Sequence, residues 1–201
     1  MKYLTAAMLL MVGLTGGAQA AGDAAAGQAK SALCASCHGP DGNSVNPIWP
    51  SLAGQDAGYL AKQLYDFKTA KRTDPIMAGM AMAVQDADVE NLAAYYAAQP
   101  INAGVASKPE LVEKGRALYR GGDLATGLTA CTACHGPNGE GNATAGFPVL
   151  ASQHAPYLIK QLQMFRDGTR NNDQNGMMSG VAAKMSDADM EAVAMYLTTL
   201  N

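Results

Sequence analysis

All four cysteines of this 201-residue chain fall in two copies of one pattern, Cys-x-x-Cys-His. The first copy is Cys34-Ala35-Ser36-Cys37-His38 and the second is Cys131-Thr132-Ala133-Cys134-His135. Two thiols at this spacing, followed at once by an imidazole, suit covalent attachment of c-type haem. Each thiol adds across a vinyl group, and the adjacent histidine reaches the iron from the same stretch of backbone. Two copies with no cysteine left over imply two haems. A lone Cys-x-x-Cys also serves as a redox disulfide, a zinc half-site or a structural crosslink. A zinc ribbon brings its second pair within about 15–20 residues, whereas these pairs lie 97 positions apart. A thioredoxin-like site needs a βαβ pattern nearby, and no strand-rich stretch occurs. A structural disulfide gives no reason for a histidine after both pairs.

The second axial ligand decides what each iron does. Methionine opposite histidine raises the reduction potential and suits electron transfer, while an open position suits ligand binding or catalysis. With twelve methionines in the chain, most should be core filler. The two halves narrow the choice, because Met80 aligns with Val181, Met82 with Ala183, Met177 with Ile76 and Met185 with Val84. Of the methionines between the middle and last helices, only Met77 and Met178 keep their identity in both halves. Both are expected in small glycine-containing loops before the last helix. The axial pairs read as His38 with Met77 and His135 with Met178, and Met80 and Met177 are the competing neighbours. His154 aligns with Asp56 and so falls outside the repeated set. It reads as a polar residue near a haem edge or solvent, with an alternative iron ligand as the other reading.

The elements that position these groups also come in duplicate. Trp49-Pro50-Ser51-Leu52-Ala53 matches Phe147-Pro148-Val149-Leu150-Ala151, and Tyr59-Leu60-Ala61-Lys62-Gln63-Leu64 matches Tyr157-Leu158-Ile159-Lys160-Gln161-Leu162. Asp86-Ala87-Asp88 matches Asp187-Ala188-Asp189, and Tyr95 matches Tyr196. Leu60, Leu64 and Phe67 share one helical face, as do Leu158, Leu162 and Phe165. Asp23 is a cap for an alanine-rich helix running to the first motif, and Ser186 with Asp189 forms a capping-box start for the last helix. Pro156 suits a first helical turn. Gly27 and Gly115 lie inside their helices at a cost of about 1 kcal/mol each relative to alanine. Close crossing against Tyr95 and Tyr196 would explain them. The fold class is all-α: two tandem domains, each with an N-terminal helix, a haem motif, a middle helix and a C-terminal helix. Residues 21–102 form the first, 103–109 a linker and 110–201 the second.

Residues 1–20 read as a signal peptide, with Lys2, an apolar run from Leu4 to Leu14 and cleavage after Ala20. The run is shorter than the roughly 20 residues a spanning helix needs. No later segment is long and apolar enough to span, so the expectation is an exported periplasmic protein. The formal net charge is −3 and there is no basic run, which gives no sign of a nucleic-acid partner.

The ordered set of Cys-x-x-Cys-His, Trp/Phe-Pro-x-Leu-Ala, Tyr-Leu-x-Lys-Gln-Leu and Met-x-Gly resembles the di-haem cytochrome c4 family over essentially the whole mature chain. The resemblance implies two cytochrome c folds about a pseudo-twofold axis, with His/Met ligation at both irons. It also implies that the carbonyls of Pro50 and Pro148 accept a hydrogen bond from the ligating histidines. As partners it implies a quinol-cytochrome c oxidoreductase and a terminal oxidase, with loose association at the membrane surface. Two other classes stay open. A di-haem peroxidase or sulfur-compound oxidase would lack methionine ligation in one half, and that loss is not seen. A cytochrome subunit of a flavoprotein dehydrogenase would use the same fold.

Overall fold

The structure, a computed structural model, describes residues 22–201. The signal peptide and its cleavage after Ala20 lie outside the described residues. Ten α-helices follow in order: α1 (Ala24–Lys30), α2 (Ala32–His38), α3 (Ala57–Lys68), α4 (Pro75–Met82), α5 (Asp86–Ala97), α6 (Val112–Gly121), α7 (Thr132–His135), α8 (Ala155–Asp167), α9 (Met177–Ala182) and α10 (Asp187–Thr198). Among the described residues there is no strand, only the isolated bridges Asp123 to Leu128 and Asn142 to Phe147. The all-α expectation holds. Helices α1 to α5 and α6 to α10 are two copies of one arrangement.

In each copy the first helix crosses the last, α1 on α5 and α6 on α10, and the middle helix packs beside them. The crossing is close because its contact residue lacks a side chain. A Cβ on Gly27 would stand 2.0 Å from the Asn91 carbonyl oxygen and 2.8 Å from Tyr95 Cβ. One on Gly115 would meet the Ala192 carbonyl oxygen at 2.0 Å and Tyr196 Cβ at 2.8 Å. Leu60 and Phe67 are buried along α3, and Leu158 and Phe165 along α8. Leu64 and Leu162, on the same faces, are half-buried against the two cores.

Two local expectations are corrected. The helix before the first motif is not continuous: it turns at Ser31, whose hydroxyl donates to the Gln28 carbonyl, and restarts as α2. Met77 and Met178 lie in short helices, α4 and α9, rather than in loops. The reason is visible at the start of α4. The Asp74 carboxylate accepts from the Ile76 and Met77 amides, and Pro75 fills the first turn, together a strong helix start.

The halves are joined by reciprocal polar contacts. Arg72 donates to Gln63, Gln161 and the Tyr157 hydroxyl. Arg170 donates to Gln161, Gln63 and the Tyr59 hydroxyl. Each guanidinium also lies over an aromatic ring of its own half, Arg72 at 4.7 Å from the Phe67 centroid and Arg170 at 4.4 Å from that of Phe165. Both arginines are buried. Pairs in which i meets j and j meets i are the sign of a local twofold relation.

Candidate functional site

Each Cys-x-x-Cys-His motif is wound into a helix that ends on its histidine, α2 at His38 and α7 at His135. Helical winding brings both sulfurs and the imidazole of one motif onto a short stretch of backbone. Glycines with positive φ, Gly39 at 81° and Gly136 at 77°, stop each helix there. All four cysteines are half-buried. Burial raises the Cys34 thiol above the ordinary range and pushes that of Cys131 to about 11.

Both motif histidines are buried. His38 Nδ1 lies 2.8 Å from the Pro50 carbonyl oxygen, and His135 Nδ1 lies 3.0 Å from that of Pro148. A carbonyl only accepts, so Nδ1 must carry the proton in both rings. The lone pair is then on Nε2, and the ring orientation is fixed. Burial holds both imidazoles below the usual histidine range, against the upward pull of the proline carbonyls. Each ring is thus kept neutral with its lone pair on Nε2, the form a ligating histidine takes.

Apolar side chains gather around these groups with part of their surface uncovered. Cys34, Leu52 and Leu64 pack half-buried against the first core, and Cys131, Leu150, Leu162 and Met178 against the second. Met77 is also half-buried, whereas Met80, Met82 and Met177 are exposed at 41%, 66% and 38%. Among the described residues no group of three or more His, Cys, Asp or Glu is placed to hold a metal ion. That donor set suits a porphyrin, which brings four nitrogens of its own and asks the protein for one ligand on each face. The half-covered apolar rims suit its flat body, and the paired thiols its two vinyl groups.

His154 does not face solvent alone. Its Nε2 is 2.8 Å from the Ser44 carbonyl oxygen of the other half. The Ser44 hydroxyl donates to the Cys37 carbonyl. Sequence reasoning missed the polar residues between the halves: Gln55, Gln63, Arg72 and their partners Gln153, Gln161, Arg170. Their trace was present, since each pair is the same residue at an offset of 98.

A family model described as cytochrome c matches residues 24–98 and 112–201. The chain is 52% identical to the cytochrome c4 of Pseudomonas aeruginosa, with 100% of each chain covered. It is 41% identical to the thiosulfate dehydrogenase electron acceptor of Stutzerimonas stutzeri, covering 83% of this chain and 78% of that protein. Among solved structures, that of reduced recombinant cytochrome c4 from Pseudomonas stutzeri is similar with a TM-score of 0.87 and 48% identity, covering 90% of this chain and 100% of that one.

Proposed function

The chain belongs to the cytochrome c family, within its di-haem cytochrome c4 group, and on that premise we propose which residues hold the two haems and where the electrons pass. It is an electron carrier with two covalently attached c-type haems, not an enzyme. Cys34 and Cys37 tether the first haem through thioethers, and Cys131 and Cys134 the second. His38 and Met77 are the axial ligands in the first half, and His135 and Met178 in the second. The haem-bearing halves are residues 21–102 and 110–201, joined by 103–109, a division supported by the two matched segments.

The observation that carries this reading is the fixed tautomer. In both halves Nδ1 is committed to a proline carbonyl, so Nε2 of a neutral, buried ring is the ligating atom. The methionine assignment is supported by burial: Met77 and Met178 are half-buried where the competing Met80 and Met177 are exposed. When bound, haem supplies a one-electron couple between ferrous and ferric iron. The protein's part is to keep both axial positions filled, exclude water and hold the ligand geometry still, so that little rearranges on oxidation. No residue has to act as acid or base.

Residues 1–20 direct export to the periplasm, with cleavage after Ala20. There the protein takes electrons from a quinol-cytochrome c oxidoreductase and passes them to a terminal oxidase, docking loosely at the membrane surface. Among the described residues no helix is long and apolar enough to cross a membrane. A dehydrogenase is a second class of donor, supported by the identity to the thiosulfate dehydrogenase electron acceptor. The ligand assignment is tested by Met77→Ala and Met178→Ala in the holoprotein. Each is expected to remove the far-red sulfur-to-iron absorption of its own half and to lower that haem's potential. Full retention of the band in either variant would contradict it.

A further inference from the structure

Each half of the molecule reaches into the other with one glutamine, and both glutamines grip the same kind of peptide. Gln153 Oε1 accepts from the Ser51 amide at 2.9 Å, and Gln153 Nε2 donates to the Ser51 carbonyl at 2.9 Å. Gln55 Oε1 accepts from the Val149 amide at 2.9 Å, and Gln55 Nε2 donates to the Val149 carbonyl at 2.9 Å. Both side chains are buried at 8% exposure. Each Oε1 also accepts from the next amide of its own chain segment, Asp56 for Gln55 and His154 for Gln153, so the amide groups are held without freedom to flip.

The gripped amides are not arbitrary. The Ser51 N–H and the Pro50 C=O are two ends of one peptide group, and the Pro50 C=O holds the His38 ring. The Val149 N–H and the Pro148 C=O are likewise one peptide group, and the Pro148 C=O holds the His135 ring. Hydrogen bonds in such a chain polarise one another. Donation from the peptide N–H into a glutamine oxygen moves electron density onto the carbonyl at the other end. That carbonyl becomes a better acceptor for the imidazole N–H, and the ring becomes a more basic ligand.

We infer that Gln55 and Gln153 are crossed positioning residues: each sets the ligand strength of the histidine in the opposite half. The inference rests on the reading of His38 and His135 as iron ligands. A more basic ligand favours ferric iron, so loss of either glutamine raises the potential of the haem in the other half. The arrangement ties the redox tuning of each half to correct docking of its partner.

The test uses holoprotein carrying Gln153→Met or Gln55→Met, with the two haems followed separately by NMR through a potentiometric titration. Gln153→Met is expected to raise the potential of the first haem and shift the His38 Nδ1 proton resonance. Gln55→Met is expected to do the same for the second haem and His135. A shift in the glutamine's own half, an equal shift in both halves, or none, overturns the inference. If a methionine variant fails to load haem, Gln153→Glu and Gln55→Glu keep an acceptor for the peptide N–H. They are expected to lower the potential of the opposite haem more than that of their own, and the reverse order overturns the inference. Wild-type protein lacking Nδ1 proton signals from two iron-bound histidines would instead defeat the ligand reading.

Discussion

At the residue scale the decisive feature is a hydrogen bond to a backbone carbonyl that decides which nitrogen of a buried ring is free. The Cys-x-x-Cys-His spacing told where the thiols and imidazole must lie, but not which tautomer the ring takes. The tautomer depends on Pro50 and Pro148, thirteen or fewer residues downstream yet brought back onto the ring by the loop. Neutrality of these rings has a consequence for stability. Burial lowers both histidines from their ordinary value of 6.5. As pH falls below about 6.5 the unfolded chain takes up protons that the folded chain refuses, so stability is present above that pH and is lost on acidification. The denaturant midpoint is therefore expected to fall on acidification through about pH 6.5. A midpoint flat through that pH would show that the rings are accessible to protons in the folded state.

At the element scale the short helices α4 and α9 were the part least legible in the sequence. Gly79 and Gly180, among small residues, read as loop signals. Both lie in helical backbone, Gly79 in α4 and Gly180 in α9, where a glycine costs about 1 kcal/mol relative to alanine, and neither marks a break. The helix-start signal lies in Asp74-Pro75, which caps and opens α4. Elements with caps and long apolar periods were legible. Asp23 caps α1, Ser186 and Asp189 form the capping box of α10, and the Gly27 and Gly115 crossings fall where the tyrosines required them. Because α4 carries Met77, its cap bears on the iron ligand. Asp74→Ala removes the acceptor for the Ile76 and Met77 amides and is expected to cost about 1 kcal/mol. Its signature is loss of the first half's far-red absorption at a lower denaturant concentration than in wild type. An unchanged midpoint for that band would mean the helix start does not hold the methionine.

At the scale of the whole molecule, the duplication was plain in the sequence, but how the copies meet was not. Periodicity within one half marks the face that buries its own core, as Leu60 and Phe67 do. It cannot tell which polar residues face the other copy. Gln63, Arg72, Tyr157 and Gln161 look like ordinary solvated side chains until the two halves are placed together. Once buried, they depend on one another. Arg72→Met is expected to leave the Tyr157 hydroxyl without its guanidinium donor, to take one of the two arginine donors from each of Gln63 and Gln161, and to cost about 1–3 kcal/mol. Calorimetry of the holoprotein should then resolve two transitions where the wild type has one, and a single unshifted transition would show that the interface does not couple the halves. The central claim, two haems each closed by nitrogen on one face and sulfur on the other, is tested most directly by a potentiometric titration of the native protein with haem counting and visible to far-red spectroscopy. Two haems per chain, two one-electron steps and a far-red band that accounts for both ferric irons are expected. One haem per chain, or a reduced protein that binds carbon monoxide rapidly at either iron, would contradict the account.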